Sequence, residues 1–266
     1  MISQYNRMKK VLYGILLLLN ALIILALTAC ANSTEFEGES VLEAKFSVAP
    51  SSIDIDLFCQ YGVVNRHDKT FCYPPYQGND WIEINRNQPT FCEEEKKLHC
   101  RSYYSNLDDL GRCGTAFMVV GKESLPISER EYIGMIKPSG WQTIRYDGLI
   151  EDHYLYNRCH LIGFQLGGAN IEENLITGTR YMNIGAMLDY ENLVAHYVKE
   201  FGGHVLYEVE PIFNDDDLVA YGVHMQAYSV EDHGESISFN VFIYNIQPGI
   251  QINYYDGSSN VEYAAF

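Results

Sequence analysis

Positive charge is scarce in this chain of 266 residues: 18 lysines and arginines stand against 35 aspartates and glutamates, for a net charge of −17 at pH 7. Phosphate binding ordinarily rests on a basic footprint, so the charge balance by itself speaks against nucleic acid as a partner and for solubility at a surface. No two cysteines are spaced as CxxC, which removes the support for a zinc ribbon or for thioredoxin-like chemistry. No histidines stand at H-x3-H spacing either. His153, His196, His204, His224 and His233 are scattered and read as surface or packing residues rather than as a helical zinc site. No internal repeat is visible, and no base-reading motif.

What is present begins with the apolar run Val11–Leu27. It follows Arg7, Lys9 and Lys10 and leads into Leu27-Thr28-Ala29-Cys30. Basic residues, an apolar stretch and small residues before a cut are the parts of a secretory signal. A cysteine directly after Leu-Thr-Ala resembles the bacterial lipobox. The expectation is a signal peptide over residues 1–29, lipidation of Cys30, and a mature protein that is anchored outside the cytoplasmic membrane or secreted. An uncleaved membrane anchor is the alternative, since the run falls just short of the ~18 residues that suggest a spanning helix. Cleavage would remove three positive charges and no negative ones, taking −17 to −20.

Six further cysteines remain: Cys59, Cys72, Cys92, Cys100, Cys113 and Cys159. An even number in an exported chain suggests disulfides. The local expectation is Cys59 with Cys72 and Cys92 with Cys100, leaving Cys113 with Cys159. Cys159 beside His160 also raises cysteine-nucleophile chemistry. Neighbours along a strand point to opposite faces, however, and form a dyad only with difficulty.

Residues 31–52 are small, polar and acidic and read as a tether. With the cysteine-containing stretch to residue 73 they make an N-terminal elaboration (30–73) ahead of the main domain (74–266). Strand-like patterns follow at "WIEIN", "TAFMVV", "WQTIRY", "HYLYNRCH", "HVLYEVEPIF", "LVAYGVHMQAYSV" and "ISFNVFIY". Between the fourth and fifth, Met187, Tyr190, Val194, Tyr197, Val198 and Phe201 recur at three- and four-residue spacing, one face of a helix that Gly202-Gly203 would end. The sum is an α+β fold: a mostly antiparallel sheet with one principal helix inserted mid-chain.

The stretch "YLYNRCHLIGFQLGG", residues 154–168, places an arginine and a histidine at the end of a strand in an acidic chain. A glycine-rich loop follows, and then "ENLITGTRYMNIGAMLDYE", residues 173–191, enters the helix. Taken singly, Asn183 would be a helix cap and Glu191 a solvated residue. Taken together, Asn157-Arg158-Cys159-His160 and the N-x-G-A-x-x-x-x-E pattern from Asn183 to Glu191 resemble the DNA/RNA non-specific endonucleases of the ββα-metal (His-Me finger) superfamily. The phrases "LGRCG", "IKPSGWQT" and "VFIYNIQPGI" are similar to the secreted-DNase branch of Gram-positive bacteria. The resemblance runs from about Pro74 to Tyr255.

That resemblance implies a ββα-metal nuclease fold, with a strand–loop–helix catalytic unit inserted in the sheet, and a role for each matching residue. His160 would be the general base, and Asn183 the direct protein ligand of one divalent ion, Mg²⁺ with Mn²⁺ as a substitute. Glu191 would hold that ion's waters or position the base. Arg158 would contact the scissile phosphate, Asn174 would orient neighbouring groups, and Arg180 and Arg145 are further phosphate contacts. The partner would be DNA or RNA without sequence specificity. Two positions depart from the family's D-R-G-H pattern: Asn157 stands for the aspartate and Cys159 for the glycine. The expected activity is that of a cell-surface, metal-dependent endonuclease. The alternative is a silent surface lipoprotein that binds nucleic acid or protein on the same scaffold.

Overall fold

Side-chain parity divides the central strands between two cores. In the computed structural model the described residues are 63–66, 69–97 and 102–262. The expected leader, Cys30, Cys59 and Cys100 lie outside them. Strands β1 (Val63–Arg66) and β2 (Lys69–Cys72) form a hairpin where the sequence shows no clear period. Next come β3 (Trp81–Glu83), β4 (Ser102–Tyr104), β5 (Ala116–Val120), β6 (Tyr156–His160) and β7 (Leu175–Thr179). Helices α1 (Arg180–Ile184) and α2 (Ala186–Phe201) follow. The chain then runs through β8 (Val205–Ile212), β9 (Gly222–Ser229), β10 (Ser238–Tyr244), β11 (Ile250–Ile252) and β12 (Ser259–Val261).

The main sheet has six strands in the order β3-β10-β9-β8-β5-β4, every pairing antiparallel. Val205, Tyr207 and Val209 of β8, with Val223, Met225 and Ala227 of β9, join Met187, Val194 and Val198 of α2 in one core. Leu206 packs instead with Phe91, Phe117 and Val119, while Phe242 and Tyr244 pack with Tyr73 and Tyr221. Successive residues point to opposite faces, so these strands are buried on both. The alternation in the sequence suggests half-burial. What fills the far face is a set of aromatic side chains together with polar ones that bond to each other. Gln226 Nε2 donates to Glu208 Oε1 (2.9 Å) and Thr90 N donates to Gln226 Oε1 (2.8 Å).

Strands β6 and β7 pair only with each other, in the register His160↔Leu175 to Tyr156↔Thr179. Asn245, fully buried just past β10, fastens this hairpin to the sheet. Its Oδ1 accepts from Thr179 N (2.7 Å), and its Nδ2 donates to Thr177 O (3.1 Å) and Ala220 O (2.9 Å). Thr179 then caps α1 by accepting from Met182 N (3.1 Å).

Three expectations need correction. The catalytic unit is strand–strand–helix rather than strand–loop–helix, because "LITGT" is a strand whose five residues are all buried and so shows no alternation. Residues 141–146 form no strand; only an isolated bridge joins Arg145 to Tyr154. The pairs Cys92–Cys100 and Cys113–Cys159 are not formed, since Cys92, Cys113 and Cys159 are free thiols. Cys113 Sγ donates to Leu175 O (3.4 Å) and Cys159 Sγ lies 3.5 Å from Met187 Sδ, so each sits in the apolar core with a neighbour other than the expected one. Burial pushes the Cys113 thiol up to about 12 and the Cys159 thiol well above its ordinary value.

Candidate active site

The candidate site gathers where β6 ends and α1 begins. His160, the last residue of β6, is 6% exposed. Its Nε2 lies 2.9 Å from Asn170 Oδ1 and its Nδ1 lies 3.4 Å from an Arg130 guanidinium nitrogen. An arginine can only donate, so Nδ1 accepts, and the neutral ring keeps its proton on Nε2 for Asn170. The lone pair of the imidazole therefore faces Arg130, which donates to it over a long 3.4 Å contact that a water could replace. Desolvation by burial, and then the Arg130 charge, lower the pKa of His160, partly offset by the Asn170 bond. The ring is neutral at pH 7 and able to take a proton.

The residue chosen to orient groups near the site, Asn174, is fully buried and acts on the 161–174 loop. Its Oδ1 accepts from Ile162 N (2.9 Å), and its Nδ2 donates to Ile162 O (3.0 Å) and Ala169 O (2.9 Å). That clamp fixes the segment carrying Asn170, and through it the imidazole. Cys159 turns its sulfur toward Met187 while His160 turns toward Asn170, so the two adjacent side chains form no dyad.

Glu191 is not a solvated residue. It occupies the inward stripe of α2 with Met187, Val194 and Val198 and is 8% exposed. Burial raises its carboxyl pKa to about 7, partly offset by Gln165, the Gly163 backbone and the Arg130 charge. Gln165 Nε2 is 3.4 Å from Glu191 Oε2, a long bond. A Cβ at Gly163 would overlap the Glu191 carboxylate and push that side chain aside. Asn183 lies on α1 and Glu191 on α2. The kink between the helices is at Gly185, where a Cβ would overlap the Tyr181 carbonyl oxygen.

Beside these residues opens a cleft of about 710 Å³ whose lining includes Arg130, Trp141, Arg158, Arg180 and Asn183. The Asn183 carboxamide has no hydrogen-bond partner among the described residues. Arg158 donates from Nε to Ile136 O (2.5 Å) and from a terminal nitrogen to Gly134 O (2.6 Å), and stacks over the Trp141 ring at 4.1 Å. Two of its donors are thus spent on the 134–136 loop, and the rest remain for the cleft. Arg180 is ion-paired with Asp152, and its Nε is buried without a partner. Arg145 is bound to Asp147 (3.0 Å) over Tyr154 and does not line the cleft. His160 does not line it either, but its neighbour Arg130 does. Sequence reasoning missed Arg130 and Asn170, which lie in loops without periodicity. A cationic residue within reach of both the histidine and the glutamate has no signature in the chain.

Two β-strands, a histidine at the end of the first, and a helix that buries a glutamate define the architecture of a ββα-metal nuclease fold. The family model for DNA/RNA non-specific endonucleases matches residues 93–231, just over half of the chain, which includes the whole unit. The chain belongs to this family. A deoxyribonuclease from Streptococcus dysgalactiae subsp. equisimilis is 30% identical over 109 residues, covering 39% of this chain and 32% of that protein. The chain thus spans about a third of the length of that curated relative. The structure of Sda1 nuclease with bound zinc ion superposes with a TM-score of 0.53 at 28% identity, covering 59% of this chain and 80% of the other. NucA from Streptococcus agalactiae with magnesium ion bound has a TM-score of 0.58 at 24% identity, over 67% and 85%. At that identity it speaks to the fold.

Proposed function

We propose that this protein is an exported, Mg²⁺-dependent endonuclease that hydrolyses phosphodiester bonds of DNA, and of RNA, without sequence specificity. The observation that carries the reading is His160. It is a buried, neutral imidazole whose lone pair is turned to Arg130, and Arg130 lines a cleft with Arg158, Arg180 and Asn183. Its Nδ1 takes the proton of a water as the water oxygen attacks phosphorus. The bond from phosphorus to the 3′ oxygen breaks, the departing oxygen takes a proton from solvent, and a 5′-phosphate and a 3′-hydroxyl remain. Asn170, accepting from Nε2, steadies the ring and favours the imidazolium that forms. Arg130 and the unspent donors of Arg158 face the phosphate oxygens, where charge develops in the transition state.

A divalent ion fits the residues present. The Asn183 oxygen has no partner among the described residues, and the buried Glu191 carboxyl gains from a nearby cation. These are hard oxygen donors, which suit an ion that retains most of its waters. Asn183 would hold it directly and Glu191 through water. When bound, it neutralises phosphate charge and stabilises the departing oxyanion. The local cations Arg130, Arg158 and Arg180 answer the objection raised by the net charge of −17, with modest affinity that falls as salt rises. Export rests on the signal-like residues 1–29 and lipid attachment on Cys30.

The test is incubation of the purified protein with plasmid DNA and with RNA, in Mg²⁺ or in EDTA, beside Asn183→Ala. The wild type should cut both only with Mg²⁺, and Asn183→Ala should require far more of the ion. A folded wild type that binds nucleic acid and cuts none of it in Mg²⁺ or Mn²⁺ would instead be the silent scaffold.

A further inference from the structure

The wall of the cleft formed by Arg180 and Ile184 has a second side. There a separate cavity of about 420 Å³ opens between the edge strand β3, the α1–α2 kink, residues 150–151 and Gln247. Trp81 borders it, 40% exposed, with its ring held edge-on against Tyr190 at 5.7 Å and 89°. Ile184, 42% exposed, adds a second apolar wall. A large indole left open at a cavity, and fixed in orientation, is a stacking platform without its guest.

Two polar atoms sharpen the identity of that guest. Gln247 Oε1, an acceptor, and Arg180 Nε, a donor, are buried and have no hydrogen-bond partner. Buried polar atoms are normally satisfied, and the exceptions call for an explanation such as a missing ligand. The remaining polar lining is Asp80, Glu151 and Asp189, with Tyr181, whose hydroxyl donates to Asp80 Oδ2 (2.9 Å). Three carboxylates repel a phosphate. Among the described residues no three or more histidines, cysteines, aspartates or glutamates cluster so as to hold a metal ion, these carboxylates included. The cavity therefore asks for a flat, uncharged ring with N–H donors for carboxylates and for Gln247, and a ring or carbonyl acceptor for Arg180. A nucleobase has all of these, and every base has a π-face and at least one N–H on its pairing edge.

We infer that this cavity binds one base of the nucleic-acid strand, next to the phosphate held in the adjoining cleft, with Trp81 as the stacking residue. The inference rests on the nuclease reading, since Arg180 and Ile184 line both spaces and so set the base beside the phosphate. It also reconciles acidic lining with a polyanionic substrate: cations meet the phosphate and carboxylates meet the base. Stacking tolerates any base, so the subsite adds affinity and register without sequence choice.

A single-stranded oligonucleotide with one abasic residue tests this in Mg²⁺. The full chain should cut the bond flanking the abasic residue about fivefold to a hundredfold less often than the same bond in the intact strand, the range that base stacking supplies. Trp81→Ala should cut both strands alike, and Trp81→Phe should restore the discrimination and show that loss of fold is not the cause. In EDTA, the anisotropy of a labelled pentanucleotide should show binding weakened to a similar degree in Trp81→Ala. Equal cutting of the two strands by the wild type would overturn the subsite and leave the nuclease reading intact. A wild type that cuts nothing would overturn the nuclease reading, and the EDTA titration would still decide the subsite.

Discussion

The main sheet and the β6-β7-α unit both bury polar groups, and they treat them differently. In the sheet, Glu208, Gln226 and Thr90 bond to one another, and His224 Nε2 meets Asn240 Oδ1 at 2.5 Å. In the unit, Glu191 has one long side-chain bond, Arg180 Nε has none, and the Asn183 carboxamide is open to the cleft. Buried polar groups left unsatisfied cost stability, about 1–3 kcal/mol each. The sheet is not wholly complete, since the Tyr207 hydroxyl of β8 is also buried without a partner among the described residues, but it sits in the apolar core, whereas Arg180 and Asn183 border open space. The sheet is chiefly a support. On the proposed function, the unit is a receptor that metal, phosphate and base would complete.

The widest separation of the two regions should come from the sheet. Phe242, fully buried and stacked on Tyr73 at 4.3 Å, should cost about 3–5 kcal/mol when changed to alanine. Denaturant titration should show that loss, while the protein that remains folded keeps its kcat. Arg130→Ala should do the reverse. Arg130 is exposed, so stability should change little, while kcat falls about 10²–10³-fold, as when one transition-state donor is removed. Equal losses of stability from both changes would erase the contrast.

Glu191→Gln should sharpen it. The folded carboxyl has a pKa of about 7 and the unfolded one 4.5. Between these values the unfolded chain ionises while the folded one stays protonated, so metal-free stability falls as pH rises from about 4.5 to about 7. The glutamine variant escapes that loss and should be more stable than wild type in EDTA at pH 8 by roughly 3 kcal/mol. The two should be equal below pH 4.5, and cleavage by the variant should be weaker. The smallest effect should come from Asn170→Ala. The Asn170 bond raises the His160 pKa against burial, so its removal should move the acid limb of the kcat profile to lower pH.

Legibility in the sequence follows this division of labour. His160, Arg158, Asn183 and Glu191 stand out through the resemblance of their two motifs to the endonuclease family, not singly, and the structure groups Arg158 and Asn183 along one cleft with Arg130. The α2 helix was legible because an apolar stripe repeats at the helical period, although Phe201 at its end is 73% exposed. Strand β7 was not, because full burial removes alternation. The Trp141–Tyr146 stretch reads as a strand because bulky and polar residues mix in it, whereas the Trp141 ring covers the Arg158 guanidinium and no ladder forms. Arg130, Asn170 and Asn245 were invisible because each acts through a contact distant in the chain. The disulfide expectation followed cysteine number, which says nothing of whether two buried sulfurs face one another.

The most direct measurement is the rate of phosphodiester cleavage by His160→Ala in Mg²⁺, with folding verified by its thermal transition and with free imidazole added at increasing concentration. Loss of a buried neutral base should lower kcat by about 10²–10⁴-fold and leave an activity that imidazole partly restores. A folded variant that cuts at the wild-type rate would contradict the assignment of proton transfer to this residue.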